Sequence, residues 1–243
     1  MLKAAIEKIQ DITKPYILRN DEHTYAVCAD GKYVELVPNV VEPETFTLHS
    51  LSALVAFVKE EGIQRGRKLF LTVPDHERAV CCTSPDPEQR ETRSVLYDCI
   101  AADVPGWGAK VSLGFEEAII ALRTRFQPTA DTDYALRLLS SITSGGKVTL
   151  NDNGIATTIV TQKGISLQDN EVIRPIINLR PYRTFMELDQ PESPFLIRVS
   201  ERAITFVEAD GGMWKLAAKK TAAAFLANAL AEELSAGQVI VTM

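Results

Sequence analysis

Short turn signals between strand-like segments constrain the fold of this chain more than any other feature of its sequence. Alternating apolar and polar residues flank Asp30-Gly31, the tetrapeptide PDHE at 74–77 and Asn153-Gly154. Glycine supplies the positive φ that a tight hairpin needs, and proline presets the backbone angle of a turn. The sequence therefore predicts three β-hairpins, over residues 25–37, 68–83 and 147–161.

Helical segments are grouped around these hairpins. Apolar residues recur at helical spacing in residues 2–12, 51–58, 115–126, 133–142 and 225–234. Before the last helix come a strand, the Asp210-Gly211-Gly212 turn and a short strand, and the strand-like GQVIVTM follows it. Strands and helices cluster and do not alternate as βαβ units. The pattern therefore predicts an α+β fold with mixed or antiparallel sheets, packed helices and a C-terminal strand-turn-strand-helix-strand unit.

A change of composition near Gly145 indicates how the chain is divided. Residues 1–143 mix helices with hairpins, whereas residues 144–243 are rich in strand-like segments and hold the C-terminal helix. With 243 residues and 46% hydrophobic content, the chain can bury one large core or two smaller ones. We therefore expect two halves that meet near Gly145, and one compact domain is the alternative.

Charge and hydropathy argue against several classes of protein. A net charge of −6 opposes the non-specific attraction to phosphate that supplies most nucleic-acid affinity, so no broad nucleic-acid surface is expected. The most apolar run, AAAFLANALA at 222–231, is far shorter than the roughly 20 residues of a membrane span. Glu7 and Asp11 interrupt the N-terminal segment, unlike the apolar core of a secretory signal. We expect a cytoplasmic protein without a membrane span.

No complete catalytic or metal-binding motif occurs in the sequence. The segment SGGKVT at 144–149 lacks the first glycine and the hydroxyl residue of a phosphate-binding loop, and it follows a helix where the loop would precede one. His76 and Cys82 are the best catalytic candidates, but a turn and a packed strand explain them more simply. Four cysteines without CxxC spacing and three scattered histidines indicate neither a disulfide framework nor a metal site. We expect no cofactor and no enzymatic activity.

The stretch LRPYRTFMELDQPESPFLIRV, residues 179–199, is the strongest candidate for a functional surface. No lysine occurs between Ile165 and Trp214, and arginine binds carboxylates or phosphates through its planar fork and stacks on aromatic rings. A strand through residues 182–189 would place Arg183, Phe185, Glu187 and Asp189 on an outer face. An exposed face with weak ion pairs is the alternative. The candidate ligand-binding or interface residues are Arg180, Tyr182, Arg183, Phe185, Glu187 and Arg198.

Three elements of this region carry a resemblance to a known family. They are PYRTF at 181–185, the QPES turn at 190–193 that leads into an FxxR strand, and EADGG-x-W at 208–214. Over residues 178–230 the chain resembles the YfdQ-like family of proteins encoded by bacteriophages and prophages, a domain of unknown function. The resemblance implies a phage or prophage origin and a role inside the infected cell, and it brings no catalytic residues with it.

Together these observations favour a non-enzymatic phage or prophage accessory protein that self-assembles as a homo-oligomer through the arginine-rich sheet. A second hypothesis is a counter-defence protein that binds a small anionic ligand or nucleotide signal. In that case Arg180, Arg183 and Arg198 would bind phosphate and Tyr182 or Phe185 would stack on the base. A third hypothesis is an accessory partner of phage DNA replication or recombination proteins, and a fourth is a shell-forming structural protein.

Overall fold

The computed structural model describes residues 3, 8, 14, 16–19, 24–28, 31–36, 44–85, 92–144, 147–152, 157–163, 166–172, 174–200 and 202–243. The predicted N-terminal helix lies outside these residues except for Lys3 and Lys8. Asp30, Gly145-Gly146 and Asn153-Gly154 also lie outside them. The chain divides into two compact units, Met1–Glu44 with Ser84–Ser94, and Thr45–Thr83 with Val95–Met243. The predicted boundary near Gly145 falls within the second unit, and the two predicted halves stay a prediction.

The first unit holds a three-stranded antiparallel sheet. Its strands β1 (Tyr16–Arg19), β2 (Thr24–Val27) and β3 (Tyr33–Glu35) lie in the order β1-β2-β3. Between β2 and β3, Gly31 has a φ of 82° and donates its N–H to the carbonyl of Cys28 at 3.0 Å. The predicted hairpin is therefore confirmed where the structure describes it.

The second unit contains a five-stranded mixed sheet in the order β15-β5-β6-β7-β4. Its strands are β4 (Phe46–Leu48), β5 (Leu69–Asp75), β6 (Arg78–Thr83), β7 (Val95–Ile100) and β15 (Val239–Thr242). The β5–β6 hairpin is confirmed, and its turn is closed by the Asp75 carboxylate, which accepts the Glu77 N–H at 2.8 Å. The outer strands β15 and β4 pair in parallel with β5 and β7.

Helices from two parts of the chain accompany this sheet. They are α1 (Leu51–Phe57), which continues as a π-helix over Val58–Gly62, together with α4 (Met213–Ala229) and α5 (Ala231–Ser235). The apolar core between sheet and helices includes Leu54, Leu71, Tyr97, Ala222 and Leu226. The helix α4 begins directly after the Asp210-Gly211-Gly212 turn, where the sequence indicated a short strand first. The Asp210 carboxylate accepts the N–H groups of Gly212 and Trp214 at 2.9 and 3.0 Å, which starts the helix there.

A second core lies on a four-stranded antiparallel sheet in the order β12-β13-β14-β8. The strands are β8 (Lys110–Gly114), β12 (Ile176–Leu179), β13 (Ser193–Val199) and β14 (Ala203–Glu208). The helices predicted at 115–126 and 133–142 are present as α2 (Phe115–Thr124) and α3 (Ala130–Ser144). Leu122, Leu138, Phe195 and Phe206 are buried together in this core.

A further three-stranded antiparallel sheet has the order β11-β10-β9. Its strands are β9 (Lys147–Asp152), β10 (Thr157–Lys163) and β11 (Ser166–Val172), and β9 pairs with β10 as the sequence predicts. The whole arrangement is an α+β fold, as expected. At the C-terminal end of the second unit, the elements β13, β14, α4, α5 and β15 follow one another in chain order.

Candidate functional site

The segment 182–189 is a loop, so the predicted strand is wrong. It belongs to the connecting loop, residues 180–192, which joins β12 to β13. The buried side chain of Gln190 organises this loop. Its carbonyl oxygen accepts the Arg183 backbone N–H at 3.0 Å, and its amide donates to the carbonyls of Phe185 and Leu188 at 3.1 Å each. One side chain thus satisfies backbone groups that a strand would pair with its neighbour.

Arg183 lies in the interior, with only 2% of its surface exposed, so its predicted place on an outer face is wrong. Its guanidinium donates to Glu208 Oε1 at 2.5 Å and to Ser193 Oγ. The same group lies over the Trp214 ring, 3.8 Å from the centroid. Burial lowers the pKa of Arg183 to about 10, against the opposing effect of Glu208 and Asp210. The arginine is therefore an internal cation held by one carboxylate and one aromatic ring.

Two further predicted site residues serve the packing of the loop. Phe185 is buried in the first core, with 1% of its surface exposed, so its predicted outer position is also wrong. The Glu187 carboxylate accepts N–H groups at the start of α1, from Leu51 and, at 3.2 Å, from Ser52. A carboxylate at a helix N-terminus satisfies free donors and matches the helix dipole. Glu187 therefore holds α1 to the connecting loop.

The remaining three predicted residues lie apart from the Arg183 cluster. Arg180 forms a surface ion pair with Glu192 at 3.0 Å. Arg198 lies exposed on β13, on the face opposite Phe195. Tyr182 is half-buried, and its backbone donates to the Arg125 carbonyl at 2.9 Å and accepts from the Gly106 N–H at 3.2 Å. The six candidates thus occupy separate environments and do not form one site.

The catalytic candidates are also separated. The His76 ring packs edge-on against Trp214, 4.7 Å between centroids, and burial lowers the pKa of His76. Cys82 lies near the far end of β6, about 13 Å of extended strand beyond Arg78. Its Sγ contacts the Phe70 carbonyl at 3.6 Å. Neither residue is placed to act on the other.

Three further properties of the described residues concern metal binding, membrane spans and the reactivity of the cysteines. No group of three or more His, Cys, Asp or Glu side chains among them is placed to hold a metal ion. Within the same part of the chain, no helix is both long enough and apolar enough to cross a bilayer. Burial raises the pKa of the Cys81 and Cys99 thiols to about 12, which keeps both protonated near neutral pH.

A concave surface lies elsewhere, beside Trp107. This Trp107 groove has a volume of about 500 Å³ and is formed by the segment 105–108, β8 and α2. The segment connecting β7 to β8 takes left-handed backbone angles at Asp103 (φ 56°) and Gly106 (φ 70°). These angles turn the chain back so that Trp107 meets α2. The lining residues of the groove include Gly106, Trp107, Gly108, Glu117, Ile120 and Arg125.

The walls of the Trp107 groove are aromatic and aliphatic. The Trp107 ring is fixed by edge-on packing against Phe126 and Phe206, at 4.7 and 5.8 Å between centroids. Across from it, Ile120 leaves 60% of its surface exposed. The Trp107 indole N–H is buried and has no acceptor among the described residues. An unsatisfied buried donor costs about 1–3 kcal/mol, which an acceptor would recover.

The polar side chains of the groove differ in whether they are already engaged. Glu117 accepts the Gly114 N–H at 3.2 Å, and the Thr124 hydroxyl donates to the Ile120 carbonyl at 2.8 Å. Arg125 is exposed, and within the described part of the chain its guanidinium has no hydrogen-bond or ion-pair partner. The groove therefore offers a cation beside an aromatic wall.

The Trp107 groove was not predicted from the sequence, although the chain carries a local signal for it. The tetrapeptide PGWG at 105–108 sets a tryptophan between two glycines, a composition typical of a turn that displays an aromatic ring. Arg125 carries no such signal, because its position at the end of α2 opposite Trp107 depends on tertiary packing.

Comparisons of the chain with protein-family models, with curated proteins and with solved structures find no match. The resemblance of residues 178–230 to the phage family therefore stays a prediction. The groove geometry is consequently the basis for assigning a function.

Proposed function

We propose that this protein is a non-enzymatic binding protein that captures a small organic anion with a flat apolar body in the Trp107 groove. The observation that carries the proposal is that one groove of about 500 Å³ holds both Trp107 and Arg125, whose guanidinium has no partner among the described residues. Small-molecule sites are typically apolar clefts of about 300–1,000 Å³ with a few polar groups that orient the ligand.

The proposed binding mode follows from the chemistry of the lining residues. The Arg125 guanidinium binds a carboxylate or phosphate through paired charge-assisted hydrogen bonds. The flat part of the ligand packs between Trp107 and Ile120. Gly106 precedes the tryptophan, and its φ of 70° sets the turn that places the ring beside the groove.

A nucleotide fits this description, which relocates the nucleotide-binding hypothesis from the connecting loop to the Trp107 groove. Its phosphate would pair with Arg125 and its base would pack on Trp107. A phage or prophage origin, as the resemblance implies, would make a host nucleotide signal one candidate ligand, sequestered in the cytoplasm of the infected cell. The net charge of −6 disfavours long nucleic acids, in line with a ligand of the size of the groove.

Binding without chemistry is supported by the groove's own side chains. Glu117 and Thr124 are each hydrogen-bonded to a backbone group, and neither is assigned a contact with the ligand. The contacts assigned to the ligand are an ion pair and an aromatic contact. Such a set holds and orients a molecule but supplies no acid, base or nucleophile.

A thermal-shift screen tests the proposal. The panel contains mononucleotides, cyclic mono- and dinucleotides, and aromatic carboxylates such as indole-3-acetate, with inorganic phosphate as the control for charge alone. A ligand at about 100 times its Kd raises the free energy of unfolding by about 2.7 kcal/mol, enough to move the melting temperature visibly. Stabilisation by some aromatic anions, but not by phosphate, is expected. No shift with any member of the panel would contradict the proposal.

A further inference from the structure

The five-stranded sheet ends in an open edge at β15. This strand pairs in parallel with β5, from Val239 opposite Leu69 to Thr242 opposite Thr72. On its other side no strand among the described residues pairs with it. The backbone N–H and C=O groups along such an edge are free to pair with a further strand.

A shallow groove runs along this edge between β15 and α4. It has a volume of about 410 Å³ and is lined chiefly by Lys220, Ala223, Ala224, Ala227, Val241 and Met243. Met243 leaves 54% of its surface exposed. The three alanines keep the helix surface low, so a neighbouring element can approach the edge strand closely.

The charges around β15 are opposite at its two ends. Lys220 lies beside the end of the strand, with Thr242 and Met243. Glu232 lies on α5, the short helix that leads into the start of the strand, and its side chain is exposed. Among the described residues, neither Lys220 nor Glu232 has a side-chain partner. A two-fold rotation about the middle of β15 would bring the end of one strand beside the start of the other.

We infer that two copies of this chain pair through β15 in antiparallel fashion. The two edges exchange backbone hydrogen bonds, and the sheet continues from one copy into the other. The alanine surface of α4 packs against its counterpart. Lys220 of each copy faces Glu232 of the other, so the charge pair occurs twice. An isologous contact of this kind is self-complementary and closes as a dimer.

Another edge of the second unit is already engaged. On β12, the Asn178 N–H donates to the Asp131 carboxylate at 2.8 Å, so part of that edge is satisfied within the chain. Phe46–Leu48, the strand at the opposite end of the five-stranded sheet, is one residue shorter than Val239–Thr242. The edge at β15 combines free backbone groups with a groove and complementary charges, and this combination selects a second copy as its occupant.

A charge-swap series measured by sedimentation equilibrium tests the inference. The wild-type protein should have the mass of two chains at micromolar concentrations. Lys220→Glu and Glu232→Lys each place like charges together twice, so each should raise the dissociation constant about 10-fold or more. The double variant restores opposite charges and should return the constant close to the wild-type value. Lys110→Glu, on β8 of the other sheet, is the matched control and should have no effect.

A steric variant tests the same surface without changing a charge pair. Ala224→Arg places a long side chain in the groove at an exposed position, so it should give monomers with an unchanged melting temperature at low concentration. A wild type that is monomeric at all concentrations tested, a dimer indifferent to Ala224→Arg, or single reversals that the double variant does not rescue would each overturn the inference. Because Lys220 and Glu232 lie outside the Trp107 groove, failure here leaves the proposed ligand site unaffected.

Discussion

The guanidinium of Arg183 lies 3.8 Å from the centroid of the Trp214 ring, and the same group donates to the Glu208 carboxylate at 2.5 Å. Trp214 lies in the first turn of α4, which packs in the first core, whereas Glu208 ends β14 of the four-stranded sheet. Arg183 itself belongs to the connecting loop. One buried cation therefore joins the connecting loop to the end of β14 and to the start of α4.

Replacing Arg183 should destabilise the fold. Arg183→Met keeps most of the side-chain volume but leaves Glu208 largely buried without its cation, which typically costs about 3–5 kcal/mol. Urea unfolding followed by far-UV circular dichroism measures this loss. Arg180→Met removes an exposed ion pair and should cost less than about 1 kcal/mol. Equal stabilities of the two variants would contradict an internal role for Arg183.

Gln190 should contribute about as much to the free energy of unfolding as an apolar core residue does. Gln190→Ala leaves the Arg183 N–H and the Leu188 carbonyl without their side-chain partner, at about 1–3 kcal/mol for a buried unsatisfied group, while the Phe185 carbonyl keeps the Leu188 N–H. We expect a lower urea midpoint and faster hydrogen exchange confined to the connecting loop. Asp189→Ala, at the exposed neighbouring position, is the control. Unchanged exchange in Gln190→Ala would show that the loop does not depend on this side chain.

Stability should fall as the pH is lowered through the titration of His76. Burial against Trp214 lowers the pKa of His76 from 6.5, so between the folded and unfolded pKa values the unfolded state binds more protons. The free energy of unfolding therefore starts to fall as the pH drops below about 7. It keeps falling until the pH has passed below the folded pKa of His76. Urea midpoints at a mildly alkaline and a mildly acidic pH measure it. In His76→Phe this part of the pH dependence should vanish, and an identical pH profile would contradict the assignment.

Local turn chemistry explains why much of the fold could be predicted. The hairpin at 68–83 follows from Pro74 and from the Asp75 carboxylate that binds the Glu77 N–H, and both effects act within a few residues. The helices α2 and α3 likewise follow from apolar periodicity, whereas the periodic residues 225–234 cover only the end of α4 and most of α5. These signals are local, so neighbouring residues suffice to identify them.

The connecting loop could not be predicted in the same way. Its alternation of polar and apolar residues is equally typical of a strand, and only the Gln190 side chain decides in favour of a loop. Arginine is rarely buried, and Arg183 is buried because Glu208 and Trp214, far along the chain, surround it. Both outcomes depend on tertiary partners that no local pattern identifies.

Titration calorimetry measures how much Arg125 contributes to ligand binding in the Trp107 groove. The best ligand from the panel is titrated into the wild type, Arg125→Gln and Arg123→Gln. Arg123, in the last turn of α2, is exposed but does not line the groove, so it matches Arg125 in charge and exposure. We predict that Arg125→Gln weakens binding about 10-fold or more, as expected for lost hydrogen bonds to a charged group, while Arg123→Gln binds like the wild type. Equal affinities of the two variants would contradict a ligand site beside Trp107.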